Sequence, residues 1–194
     1  GEKKGNTEAP APVDTDTVAV GAVLIARDDV PEEDIYTFIS TIFENVDTIT
    51  EQHDKGGELD LEFASSVTSV PYHPGAAKYF EEKGYTVASV KEGAGVGSSK
   101  SLTFGTGSES GTYYAFGGVL ASYVSNNSNV SITAVTSDGS KANVEDLAAG
   151  TIQLAFVQSD VMSYAYNGER LFDTAVDGFS VVANLYLEQV QIVT

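Results

Sequence analysis

The chain has 194 residues, 42% of them hydrophobic, which is enough for one well-cored domain or two small ones. A formal charge of -18, from 28 acidic against 10 basic residues, argues against nucleic acid as a partner, because phosphate contacts depend on Lys and Arg, and it disfavours an anionic membrane surface for the same reason. The absence of Cys excludes disulfides, Cys-based zinc sites and thiol catalysis, and no apolar run approaches the ~20 residues of a membrane-spanning helix.

Residues 1–16 are polar, Pro-bearing and aperiodic, the make-up of a mobile lead-in, and they lack the apolar segment of a signal peptide. Thr17–Ala26 (TVAVGAVLIA) is a continuous Val-rich run closed by Arg27-Asp28-Asp29, which reads as a buried strand. Pro31-Glu32-Glu33 then opens a helix, with Pro31 at its first position, acidic residues complementing the dipole and Asp29 as a nearby cap. Ile35, Phe38, Ile39, Ile42, Phe43, Val46 and Ile49 share one stripe, so a single helix is expected as far as Ile49. Gly56-Gly57 interrupts the pattern, and Leu59, Leu61, Phe63 and Val67 suit a short helix. Pro71–Gly75 is a rigid turn, and Pro74 starts a helix over Gly75–Lys83 that stops at Gly84. His53 and His73 have no partners in register for a metal or a hydrolase triad. His53 therefore reads as solvated, and His73 as hydrogen-bonding its own turn.

Lys91–Lys100, with three Gly and two Ser in ten residues, has the composition of a flexible linker. Its glycines precede a strand instead of following one, so they do not suit a phosphate-cradling loop. From Leu102 to Asp160 one phrase occurs three times: an apolar β-rich run, a polar turn, a helical pattern. Leu102–Phe104 leads through GTGSESG into Thr112–Val124, Ile132–Val135 through TSDGS into Lys141–Ala149, and Ile152–Val157 through QSD into Val161–Tyr166. This is the pattern of a mostly parallel α/β sheet, in which ligands collect at the carboxyl ends of the strands beside helix N-termini.

The three turns thus form one candidate site. Gly105–Gly111 is one residue longer than a dinucleotide fingerprint and lacks the Lys-Ser/Thr ending of a P-loop, but it offers the hydroxyls of Thr106, Ser108, Ser110 and Thr112 at a helix start. Ser137, Gly139 and Ser140 make the second turn, with Ser140 as the natural N-cap, and Gln158, Ser159 and Asp160 make the third. Asp160 either caps the following helix or receives a ligand amine. Phe179–Leu185 is a further apolar stretch, and Glu188–Val193 a last short strand.

Together TGSESGTYYAFGGVLA, TSDGSKANVEDLAAGTIQLAFVQSDVMSYAYNG and LYLEQVQIV resemble the opening of the TAXI family of substrate-binding proteins of TRAP transporters. Residues 17 to about 86 resemble the ending of the same family: an apolar strand, Asp29-Val30-Pro31-Glu32, the phrase from Tyr36 to Asn45, and Pro71 to Gly84. The order is inverted, and the middle of the family, its second lobe, is absent. The resemblance therefore implies a circularly permuted, isolated first lobe of a periplasmic-binding-protein-like (type II) fold, residues 17–194, with 91–100 joining the native ends.

It further implies an extracytoplasmic receptor that clamps a small anionic solute, a glutamate, glutamine or dicarboxylate, between two lobes and presents it to TRAP membrane subunits. Carried over residue by residue, the ligand-binding positions are Thr106, Gly107, Ser108, Ser110, Gly111 and Thr112, then Ser137, Gly139 and Ser140, then Gln158, Ser159 and Asp160. Tyr113 either walls the pocket or packs in the core with Phe116 and Leu120. No cofactor is implied. Two other readings stay open: an interaction module that forms a homodimer through the surface left by the missing lobe, and a doubly wound enzyme using Gly105–Gly111 on a phosphorylated substrate. The latter lacks a base–nucleophile pair.

Overall fold

A computed structural model describes residues 18–98 and 101–189. The expected lead-in lies outside the described residues. Five strands, β1 (Ala19–Arg27), β2 (Leu102–Gly105), β3 (Ile132–Val135), β4 (Leu154–Gln158) and β5 (Phe179–Gln189), form one sheet in the order β3-β2-β4-β1-β5. β2 is parallel to β3 and β4, whereas β1 lies antiparallel between β4 and β5. Four strands therefore share a direction and β1 opposes them. The fold is the α/β lobe expected, with the sheet mostly parallel in direction.

Among the described residues seven α-helices flank the sheet: α1 (Glu32–Phe43), α2 (Val46–Gln52), α3 (Leu61–Ala64), α4 (Pro74–Glu82), α5 (Thr112–Asn127), α6 (Ser140–Ala149) and α7 (Ser159–Asn167). α1 packs on α4 and α5, and α2 on α5, while α6 packs on α7 and both reach β1 and β4. Covered on both faces, Ala22–Ala26 are wholly buried, which is why this strand reads as an unbroken apolar run without alternation. An aromatic row made by Phe104, Phe116, Phe156 and Tyr186 joins α5 to the sheet. α5 comes close to β2 at Gly117, where a Cβ would meet Thr106 Cγ2 at 2.6 Å.

Several boundaries differ from the expectation. The long stripe is two helices, because Asn45 leaves helical geometry at φ -133° and its Nδ2 donates to Thr41 O at 2.9 Å, satisfying a carbonyl at the end of α1. The apolar spacing survives the break because α2 still buries Ile49 against the same core. Pro31 occupies the N-cap position and Glu32 begins α1, while Asp29 accepts from Arg27 Nε and Nη2 at 2.9 and 2.8 Å and caps nothing. His53 is half-buried, accepting from Lys55 N and lying 5.1 Å from the Phe116 ring, so it is not simply solvated. Phe179–Leu185 and Glu188 belong to one strand that continues to Gln189, and residues 190–194 lie outside the described residues.

The stretch with linker composition is held to the body. Gly95 N donates to Asp28 O and Glu32 N to Gly95 O, at 2.7 and 2.9 Å. Lys91 Nζ donates to Tyr166 Oη at 2.8 Å and to Asp177 O at 2.6 Å.

Candidate ligand-binding site

The carboxyl ends of β2 and β3 open into a cleft of about 440 Å³ lined by Gly107, Ser108, Gly111, Thr112, Tyr113, Ser137, Asp138, Gly139 and Glu188. Two helices begin on it. α5 has Gly111 at its N-cap and α6 has Gly139, and neither helix has a side-chain cap. Ser140, expected to cap α6, is instead its first residue, and its Oγ accepts from Gln158 N at 3.0 Å. Each helix start therefore presents first-turn N–H groups and the positive end of its dipole to the cleft, an arrangement suited to a carboxylate or another anion.

The turn between β3 and α6 depends on one residue type. Gly139 stands at φ 93° and ψ -160°, a region open essentially to glycine alone. Gly139 N donates to Ser137 Oγ at 3.2 Å, and Ser137 N donates to Gly107 O at 3.0 Å, so the first two turns brace each other. Behind them Asn143, fully buried, donates through Nδ2 to Thr106 O at 2.9 Å and to Phe156 O at 2.7 Å, tying the ends of β2 and β4 to α6.

The expected site residues fall into two groups. Gly107, Ser108, Gly111, Thr112, Tyr113, Ser137 and Gly139 line the cleft together. The others face the chain itself or open solvent. Thr106 is fully buried and its Oγ1 donates to Val135 O at 2.6 Å; Ser159 Oγ accepts from Gly21 N at 2.9 Å; Asp160 Oδ1 accepts from Val161 N at 2.9 Å. Gln158 Nε2 donates to Glu188 Oε2 at 3.0 Å, and Ser110 is exposed outside the lining. Tyr113 lines the cleft and stacks on Phe156 at 4.8 Å.

Sequence reasoning missed Asp138 and Glu188 in the lining. A polar side chain at the carboxyl end of an apolar strand was the available signal for Glu188, but its distance in sequence from the glycine turns concealed it. The cleft continues over β5 into a second hollow lined by Lys55, Thr112, Tyr186 and Glu188. Tyr186 is 2% exposed and its hydroxyl has no hydrogen-bond partner among the described residues, whereas the buried hydroxyl of Tyr113 faces Ser140 and the Glu188 carboxylate. Burial, reinforced by the Glu188 carboxylate, pushes both phenols well above the usual tyrosine range. Lys55 at the rim is paired with Glu58 at 2.5 Å. Among the described residues no cluster of His, Cys, Asp and Glu is placed to hold a metal ion.

The model of the NMT1-like family matches residues 3–84 and 104–194. Residues 85–103, between the two matches, contain the Gly/Ser-rich stretch.

Proposed function

The chain belongs to the NMT1-like family, whose members are solute-binding proteins, and from that premise we propose that it is the first lobe of an extracytoplasmic receptor serving a TRAP-type transporter. Its cleft is one jaw for a small carboxylate-bearing solute, a glutamate, glutamine or dicarboxylate. One observation carries the reading: α5 and α6 begin uncapped on the same cleft, with glycine at both N-cap positions. Glycine at an N-cap has no side-chain acceptor of its own, so the first-turn N–H groups of both helices are open to an external one.

Two further features support a half-receptor of the TAXI type with joined native ends. The family match is in two pieces that exclude residues 85–103. In the sheet Ala19 pairs with Gln189, so the outer ends of β1 and β5 lie side by side at the cleft edge, where a chain passing to and from a second lobe would cross. A second reading, association of two copies through this edge, draws on Val18 and Leu187, exposed at 74% and 45%. Sedimentation over a range of concentrations distinguishes a monomer from such a dimer.

The ligand reading is tested by following backbone amides by NMR during titration with L-glutamate. Shifts concentrated at Thr112–Tyr114 and Ser140–Ala142 are expected; an unchanged spectrum, or shifts confined to other surfaces, contradicts it.

A further inference from the structure

Across the cleft from the helix starts, the polar groups change character. Tyr186 and Glu188 alternate on β5 and so share one face of it, while Gln158 Nε2 holds one oxygen of Glu188. The Tyr186 hydroxyl is buried and unpartnered within the hollow that Glu188 and Thr112 also line. The Tyr113 hydroxyl, also buried, belongs to the wall shared with Glu188 and faces that carboxylate. A buried phenol without a partner beside a carboxylate forms an incomplete polar set, since buried polar groups ordinarily find partners. The lining of the main cleft contains Asp138 and Glu188 and no Lys or Arg, and Lys55 in the adjoining hollow is engaged by Glu58. Lys55 Nζ lies 4.7 Å over the Tyr186 ring, with Glu58 as its ion-pair partner.

We propose that Glu188, with the phenol oxygens of Tyr186 and Tyr113, is the receiving site for a protonated nitrogen on the solute, and that Glu188 is the residue by which this lobe prefers an amino acid to the same acid without its ammonium. The inference rests on the reading of the cleft as a solute site and adds a second pole to it. The solute's carboxylate lies at the starts of α5 and α6, and its ammonium donates to Glu188 Oε and to the two phenol oxygens, which are acceptors as well as donors. Gln158 keeps the carboxylate turned toward the cleft. Glutarate, which has the same two carboxylates but no ammonium, would leave Glu188 without a donor from the solute.

L-Glutamate and glutarate differ at one position by an ammonium group and provide the test. Each is titrated into the full 194-residue chain, with amide shifts read by NMR, for the wild type, Glu188→Gln and Tyr186→Phe. For the wild type, L-glutamate should bind about tenfold more tightly than glutarate, the scale of one charge-assisted hydrogen bond. Glu188→Gln should abolish that preference while leaving glutarate binding unchanged or stronger. Tyr186→Phe should weaken L-glutamate several-fold without lowering the melting temperature, because the hydroxyl it removes has no hydrogen-bond partner among the described residues. Equal affinities for both probes, or a preference that survives Glu188→Gln, overturn the inference and leave the carboxylate site standing. If neither probe moves the amides at the starts of α5 and α6, the solute-site reading falls and this inference with it.

Discussion

His73 is fully buried, with Nδ1 accepting from Gly75 N at 3.3 Å, which leaves the proton on Nε2 to be donated to Val30 O at 2.9 Å. Burial lowers its pKa from 6.5 to about 4. The unfolded chain therefore binds a proton that the folded chain refuses between those values, so stability contributed by His73 is complete above pH 6.5 and is lost as pH falls towards 4. The loss is on the order of 3 kcal/mol. Urea unfolding at pH 7 and 4.5 should show it as a difference from His73→Gln, whose stability, lower at pH 7, should fall less over the same interval; parallel losses would contradict the assignment. Gly139 is the other residue on which the local structure depends. No atom lies within 4 Å of a Cβ built there, so Gly139→Ala meets backbone strain alone, about 1–3 kcal/mol. It should lower the urea midpoint and displace the amides of Ser137–Ser140; an unchanged spectrum would show that the turn has another conformation.

At the scale of elements, the three strand–turn–helix phrases were legible because each is local: a β-rich run, glycines and hydroxyls, then helical spacing, all within about twenty residues. The direction of β1 was not. An apolar run buried on both faces carries no periodicity and no polarity, so nothing in TVAVGAVLIA distinguishes a strand parallel to β4 from the antiparallel one found. Glu188 was missed for a related reason, since it enters the cleft from the far end of β5 and shares no sequence context with Gly105–Gly111. The division of α1 from α2 was hidden because both bury the same stripe. Composition alone also failed to foresee that Lys91 anchors the Gly/Ser-rich stretch through Tyr166, Asp177 and Asp28. Removing that ammonium in Lys91→Met strips Asp28, already raised in pKa by burial, of its counter-charge. The expected cost is about 1.5–3 kcal/mol by urea unfolding, the range of a charge-assisted hydrogen bond; a variant as stable as the parent would show that the segment is held by its backbone bonds alone.

At the scale of the whole molecule, the described sheet and helices form one α/β body, with the starts of α5 and α6 opening on a cleft at one edge. The paired ends of β1 and β5 reach that same edge, as they would in one half of a clamp. A two-lobed receptor of micromolar affinity has about 8 kcal/mol of binding energy, and a lobe supplying half of it retains about 4, which corresponds to a dissociation constant near millimolar. Calorimetry of this chain with L-glutamate tests that claim most directly. The account predicts saturation in the millimolar range at one site per chain; micromolar affinity of the monomer would contradict it, because the cleft would then be a complete site in itself.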